Sequence, residues 1–222
     1  MLDEEGAIAA TLDAIRAGAP TTGPDAEVIV VDGGSADHSV EIARTRCDKL
    51  IEGPRGRGRQ MNAGAAVSSG DVIAFVHADT LVPASFARDI DGAMADRRVA
   101  GGRFDVVFDD CSPALKMVST MISLRSRIMR SATGDQAIFV RREVFEQLGG
   151  YAEIDLCEDV DFIRRMRSLG RVACLRSRII TSPRRWLRDG VVRTIVRMWI
   201  IKSLFLAGVS PARLKRYYAD IR

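Results

Sequence analysis

Gly70-Asp71-Val72-Ile73-Ala74-Phe75-Val76-His77-Ala78-Asp79-Thr80 is the stretch from which the fold is read. Val72 to Val76 is a short, continuously apolar run, the pattern of a strand buried on both faces of a parallel sheet. It ends abruptly in polar residues, one of them an acid. Ligands of open α/β sheets gather in the crevice at the carboxyl ends of the strands. An Asp there can hold a hard divalent cation, which in turn holds phosphate oxygens. Equally, Asp79 can cap the helix that follows Pro83. His77, two residues away, reads either as a structural histidine or as a second ligand to the same ion, whereas His38 has no such company.

Upstream, Ile8, Leu12 and Ile15 recur at helical spacing, with Asp3, Glu4 and Glu5 read as acids of the first turn. Gly23-Pro24-Asp25 breaks the chain before Glu27–Val31, a second buried-type strand. A helix from about Ser39 to Arg46 and a strand over Lys49–Glu52 follow, then a glycine- and arginine-rich loop, 53–65, that enters a helix. Downstream, a helix is expected near 84–95, a strand over 101–108, a helix over 113–129, a strand over 137–140 and a helix stopping at Gly149-Gly150. Glu158–Leu169 is helical, with Phe162, Ile163, Met166 and Leu169 on one face. Two short strands, 172–175 and 179–181, precede one long C-terminal helix. The early alternation of strand and helix is the signature of a doubly wound, mostly parallel α/β sheet flanked by helices.

Three clusters carry chemical content besides Asp79. Asp32-Gly33-Gly34-Ser35 closes a strand: Gly34 lets backbone approach a ligand, and the Asp32 carboxylate can accept from a base N–H or a ribose hydroxyl. The same residues also suit a plain strand-to-helix turn capped by Ser35 or Asp37. Arg55, Arg57 and Arg59, punctuated by glycines ahead of a helix, suit a pyrophosphate. Glu158-Asp159, with Asp161 behind, opens a helix whose dipole holds a carboxylate ionised; the cluster suits a general base or simply caps the helix. The glycine spacings match neither the dinucleotide fingerprint nor a Walker loop.

At 222 residues, 47% hydrophobic and 28% charged, the chain has room for one α/β domain with an appended segment. The net charge of +4 is concentrated in the last third, which can meet nucleic acid, an anionic membrane or an anionic substrate. The arginines are not interleaved with aromatics, so nucleic acid is not expected as a partner. Cys47, Cys111, Cys157 and Cys174 lack metal-type spacing and read as reduced thiols of a cytoplasmic protein. No apolar run is long enough to span a bilayer, and no signal peptide is visible.

In order and interval, these pieces resemble family 2 glycosyltransferases of the GT-A fold. Leu2-Asp3-Glu4-Glu5 resembles the family's LNEE segment, and Val30 to Asp37 its VVDDGSTD. Arg59-Gln60-Met61-Asn62-Ala63-Gly64 matches Arg-x-x-Asn-x-Gly, and His77-Ala78-Asp79 stands where DxD belongs. Gly149-Gly150-Tyr151 and Glu158-Asp159-Val160-Asp161-Phe162, followed by Arg165 and Gly170, resemble the GGF…EDVDL…R…G block. The resemblance covers about residues 2–185 and implies a catalytic domain there, with a nucleotide-binding half to about 82 and an acceptor half beyond it. Residues 186–222 form an amphipathic helical segment. It further implies an inverting transfer from a nucleoside-diphosphate sugar, usually of uridine, to an acceptor hydroxyl. Asp32 would contact the base, Arg59 with Arg57 and Asn62 would lie near the diphosphate, and Asp79 would bind Mg²⁺ or Mn²⁺. Asp159 would be the base, with Glu158 in support. Gly134-Asp135-Gln136 is the acceptor-side contact.

His77 replaces the first acid of DxD, and Gly33 the second acid of DDGS. The family's first strand, expected before Leu2, is missing, so a gap between its two partner strands is expected, with the true start upstream of Met1 or the fold compromised. His77-Ala78-Asp79, the arginine loop and Gly101-Gly102-Arg103-Phe104 most resemble short bacterial members associated with arsenosugar-type pathways. Arg184 and Arg185 can reach the donor diphosphate. The tail reads either as a helix covering the domain or as an amphipathic helix lying on the inner face of an anionic membrane. The rival readings are a nucleotidyltransferase that makes a sugar nucleotide and a nucleotide-sugar binder without turnover.

Overall fold

The computed structural model describes residues 1–19, 26–110 and 112–215. Helix α1 (Ile8–Ala17) precedes strand β1 (Ile29–Asp32), helix α2 (Ser39–Arg44) and strand β2 (Lys49–Glu52). The two strands pair in parallel, Ile29 opposite Lys49 through Asp32 opposite Glu52. Ile8 and Leu12 of α1, Val28, Val30 and Ala43 bury one another in a small core of their own. Asp3, Glu4 and Glu5 lie before α1 and not in its first turn. Asp3 and Glu5 instead accept from the N–H groups of Ala36 and His38, and Glu5 also meets the His38 ring. The expected break at Gly23-Pro24-Asp25 and the thiol of Cys111 lie outside the described residues.

After helix α3 (Arg57–Val67) the chain enters a second sheet. It is built from β3 (Val72–Phe75), β4 (Thr80–Leu81), β5 (Val99–Phe108), β6 (Ile138–Arg141) and β7 (Arg171–Thr181), in the order β3-β6-β5-β7-β4. Only β5 and β7 run parallel within it. The mixed α/β class holds, but antiparallel pairs outnumber parallel ones, contrary to the mostly parallel expectation. β3 also differs from the doubly buried parallel strand expected: it pairs antiparallel with β6, and its burial alternates, with Ile73 and Phe75 inward. An apolar run of four residues carries no record of its neighbours' direction, and among the described residues β3 pairs with β6 alone. The free edges of β1 and β3 line the same cavity, so the sheet parts where a gap was expected. Met1 lies along the edge of β1, donating to Val31 O and accepting from Gly33 N–H.

Helices α4 (Phe86–Met94) and α5 (Pro113–Met129) cover β5 and β7. Ser112, whose hydroxyl accepts from Leu115 N–H, and Pro113 start α5 as helix-start chemistry requires. Phe86, Phe104, Val106, Leu115, Val118, Ile122, Phe139 and Ile179 make the main core. A second core, with Phe75, Phe145, Tyr151 and Phe162, lies under α6 (Arg142–Gln147) and α7 (Glu158–Met166). Leu169 lies beyond α7 and is exposed. The two short strands expected over 172–181 are one continuous strand, β7.

The long C-terminal helix is three: α8 (Arg184–Asp189), α9 (Val191–Leu206) and α10 (Pro211–Lys215). Val191, Ile195 and Met198 of α9 pack on the main core, as a covering helix requires, while Val192, Val196, Trp199 and Ile200 are exposed. No helix among the described residues is long and apolar enough to cross a membrane, and Cys47, Cys157 and Cys174 are free thiols.

Candidate active site

A cavity of about 1500 Å³ opens where the two sheets part. Its walls carry Glu4, Arg57, His77, Asp79, Gly134, Asp135, Glu158, Asp159, Arg184 and Arg185. Glu4 before α1, the polar residues after β3, the N-terminus of α7 and the start of α8 therefore reach one space from distant parts of the chain.

Asp159 is fixed by two backbone donors: Gly134 N–H bonds its Oδ2 at 2.6 Å and Val160 N–H its Oδ1 at 2.7 Å. Gly134 opens a one-turn 3₁₀ helix, Gly134–Gln136. A Cβ at Gly134 would stand 2.8 Å from His77 Nε2, so a larger residue here would have to displace the His77 ring. Burial raises the Asp159 carboxyl, and the two N–H groups act against it. Glu158, next in the chain, is pushed up to about 7 by burial and by the neighbouring Asp159 charge, with Arg57 Nη1 at 4.0 Å opposing. Of the two adjacent acids, only Asp159 has two backbone donors for its ionised form. Both carboxyls are raised, and the two backbone donors favour the ionised form of Asp159, which suits it to act as a base.

A stability prediction follows. A carboxyl raised from 4.5 to about 7 in the folded state costs nothing below 4.5, where both states bind the proton, and destabilises as pH climbs through 7. Glu158→Gln removes that slope. Denaturant unfolding at acid and mildly alkaline pH should show the wild type losing about 2–3 kcal/mol relative to the variant. Equal slopes in the two proteins would contradict the assignment.

Asp79 faces Arg184, whose Nη2 bonds Asp79 Oδ2 at 3.1 Å and Glu4 Oε2 at 2.7 Å. Two carboxylates thus converge on one cationic position. Asp79 does not cap α4, whose N-cap residue is Ser85. No cluster of three or more His, Cys, Asp or Glu side chains among the described residues is arranged to hold a metal. A small hard cation beside a phosphate needs only one or two carboxylates, the rest coming from phosphate and water, and Asp79 with Glu4 fits that mode. His77 Nε2 is buried against Gly134 without a hydrogen-bond partner among the described residues, and burial, then Arg57, holds the ring down to about 4, hence neutral, the form in which an imidazole binds a metal.

Other expected contacts are placed elsewhere. Asp32 is 4% exposed, and its carboxylate accepts from Gly34 N–H, Ser35 N–H and Ser35 Oγ, closing its own turn, while Asp37 accepts from Ser39 N–H. Burial acts to raise the Asp32 carboxyl, and the Ser35 and Gly34 donors more than reverse it. Arg57 and Arg59 belong to the first turn of α3 and not to a loop; Arg57 lines the cavity, whereas Arg59 pairs with Glu153 at 3.4 Å outside it. Asn62 clamps Tyr151, giving Nδ2–H to its carbonyl and taking its N–H, at a point where Gly150 has φ +74°. Gln136 is wholly buried, bonding Ser126, Thr133 and the Phe104 carbonyl, so it supports the 3₁₀ turn and does not touch an acceptor. Asp161 is taken by Arg165, which also holds the carbonyls of Leu148 and Gly150.

Sequence reasoning missed Glu4 as a partner of Arg184, and it missed Arg125 and Lys202, which line the cavity from α5 and α9. A basic residue within an apolar helix reads as a solvated face. The available signal was that both interrupt the apolar stripe of their helix.

Residues 1–148 match the model of a family described as glycosyl transferase family 2. No curated protein sequence matches the chain. Among solved structures it is similar to residues 1–349 of S. aureus TarS, with 16% identity and a TM-score of 0.67 over 99% of this chain and 67% of that one. It spans 41% of the longer TarS chain. The mannosyltransferase PcManGT of Pyrobaculum calidifontis, solved with GDP-Man and Mn²⁺, shares 18% identity, with a TM-score of 0.65 over 99% of this chain and 67% of that one. Glucosyl-3-phosphoglycerate synthase of Mycobacterium tuberculosis, solved with Mn²⁺, UDP and glucosyl-3-phosphoglycerate, shares 16%, with a TM-score of 0.66 over 94% of this chain and 78% of that one. At these identities the likeness shows the fold, the GT-A arrangement of a mixed sheet with flanking helices.

Proposed function

The chain belongs to glycosyl transferase family 2, and from that premise we propose that it moves a sugar from a nucleoside-diphosphate donor, of uridine, to an acceptor hydroxyl with inversion. The observation that carries this reading is Asp159, a buried carboxylate held by two backbone N–H groups in the cavity that Asp79 and Arg184 also line. Asp159 takes the proton of the acceptor hydroxyl as its oxygen attacks the anomeric carbon. The bond from that carbon to the diphosphate breaks on the opposite side, and Arg57, Arg184 and Arg185 offer charge to the departing oxygens. Asp79, with Glu4, would hold a Mg²⁺ or Mn²⁺ ion, which supplies further positive charge to the diphosphate. The Mn²⁺ and nucleotides in the structurally similar enzymes support this reading.

Calorimetric titration with UDP, GDP and other nucleoside diphosphates, with and without Mn²⁺, tests the donor site. UDP should bind in a Mn²⁺-dependent manner, and Asp79→Ala should weaken it by about tenfold or more, the worth of a charge-assisted contact. Binding indifferent to both Mn²⁺ and Asp79→Ala would remove Asp79 from the donor site.

A further inference from the structure

Arg125 projects from α5 and Lys202 from α9 into the end of the cavity that holds Gly134, Asp135, Leu156 and Asp159. Arg125 Nε and Lys202 Nζ are both buried and have no hydrogen-bond partner among the described residues. The two cations repel one another, and each is drawn to Asp159. Burying like charges side by side is costly, and buried donors without acceptors add to the cost. Asp135, acting on Arg125, and Asp159, acting on both, offset part of this charge, yet neither carboxylate makes a hydrogen bond to Arg125 Nε or Lys202 Nζ. The cations of the proposed donor site are different residues, Arg57, Arg184 and Arg185, from other elements.

We propose that Arg125 and Lys202 form an anion subsite that binds a phosphate or carboxylate carried by the acceptor. The inference rests on the reading of Asp159 as the base, since it places the anion beside the hydroxyl that Asp159 deprotonates. A guanidinium on a helix of the main core and an ammonium on α9 grip one anionic group from two sides. Neutral acceptors without an anionic group would leave both donors buried and without an acceptor, so the site selects against them.

The test uses the full chain and inorganic phosphate as the probe, titrated calorimetrically in the presence and absence of saturating UDP with Mn²⁺. Phosphate should bind with UDP in place, and Arg125→Gln with Lys202→Gln should weaken it by about tenfold or more, as expected for charge-assisted hydrogen bonds. The same double variant should bind UDP as the wild type does, and Arg125→Lys with Lys202→Arg should retain phosphate. Phosphate displaced by UDP would assign the anion to the donor site and overturn the proposal. Phosphate binding unchanged in the double Gln variant, or absent from the wild type, would overturn it too. Failure of UDP itself to bind would strike at the donor-site reading, which the phosphate arm without UDP measures separately.

Discussion

Asp159→Asn is expected to lower turnover by about 10²–10⁴-fold, the usual worth of a positioned general base, while UDP binds with unchanged affinity. Asparagine is isosteric, and its carbonyl oxygen can still accept the 2.6 Å bond from Gly134 N–H, so the turn before β6 is held, while Val160 N–H loses its side-chain acceptor. What is lost is the capacity to take a proton. Glu158 is a poor substitute, because its carboxyl holds its own proton up to about 7. The residual activity of the variant should therefore rise more steeply with pH between 6 and 8 than that of the wild type. Steady-state rates, paired with UDP titrations, check both halves. A variant that turns over within threefold of wild type would remove Asp159 from the chemistry. Loss of UDP binding would show that Asp159 shapes the donor site instead.

The second large effect is on stability. Arg103, wholly buried in β5, donates to Asp105 Oδ1 at 2.5 Å, to the Phe104 carbonyl at 3.1 Å and to the Ser123 carbonyl of α5 at 3.2 Å. Arg127 grips the other oxygen of Asp105. Arg103→Met removes the only fully buried cation of this knot and leaves Asp105 with a partner that is itself a third exposed. Breaking a buried pair on one side costs about 3–5 kcal/mol, against a typical total stability of about 5–15 kcal/mol. Arg127 should keep the loss near the lower figure. Chemical denaturation measures it, and a shift under about 1 kcal/mol would contradict the account. Replacing both partners, Arg103→Met with Asp105→Leu, should recover much of the loss, since an apolar pair of similar volume can stand in for a buried ion pair.

What was legible in the sequence was local. Ser112 and Pro113 announce α5, and the structure starts that helix at Pro113. Asp32 to Ser35 admits a turn or a ligand site, and the hydrogen bonds show the turn. The Glu158-Asp159 pair was visible, but not which acid is held by backbone donors, because that depends on Gly134, some 25 residues away. Arginines 57 and 59 look alike in sequence. Two residues apart on a helix, they point in different directions, and only Arg57 reaches the cavity. The pairing of Arg184 with Glu4 joins residues 180 apart, and no spacing rule reaches that far. Strand direction was misjudged for a similar reason: the run 72–75 carries no sign of its antiparallel partner at 138–141.

The parting of the sheet has a consequence for cooperativity. Residues of α1, β1 and α2 bury their own small core, and β1 shares no ladder with β3. The two parts adjoin through side chains and a few single bonds, such as Thr11 Oγ1 to the Ala78 carbonyl. A ligand held at once by Glu4 before α1 and by Asp79 after β3 would be a strut between them. By linkage, its binding free energy adds to the cohesion between the two parts. Occupancy of the cavity and integrity of the fold are then one equilibrium seen from two sides.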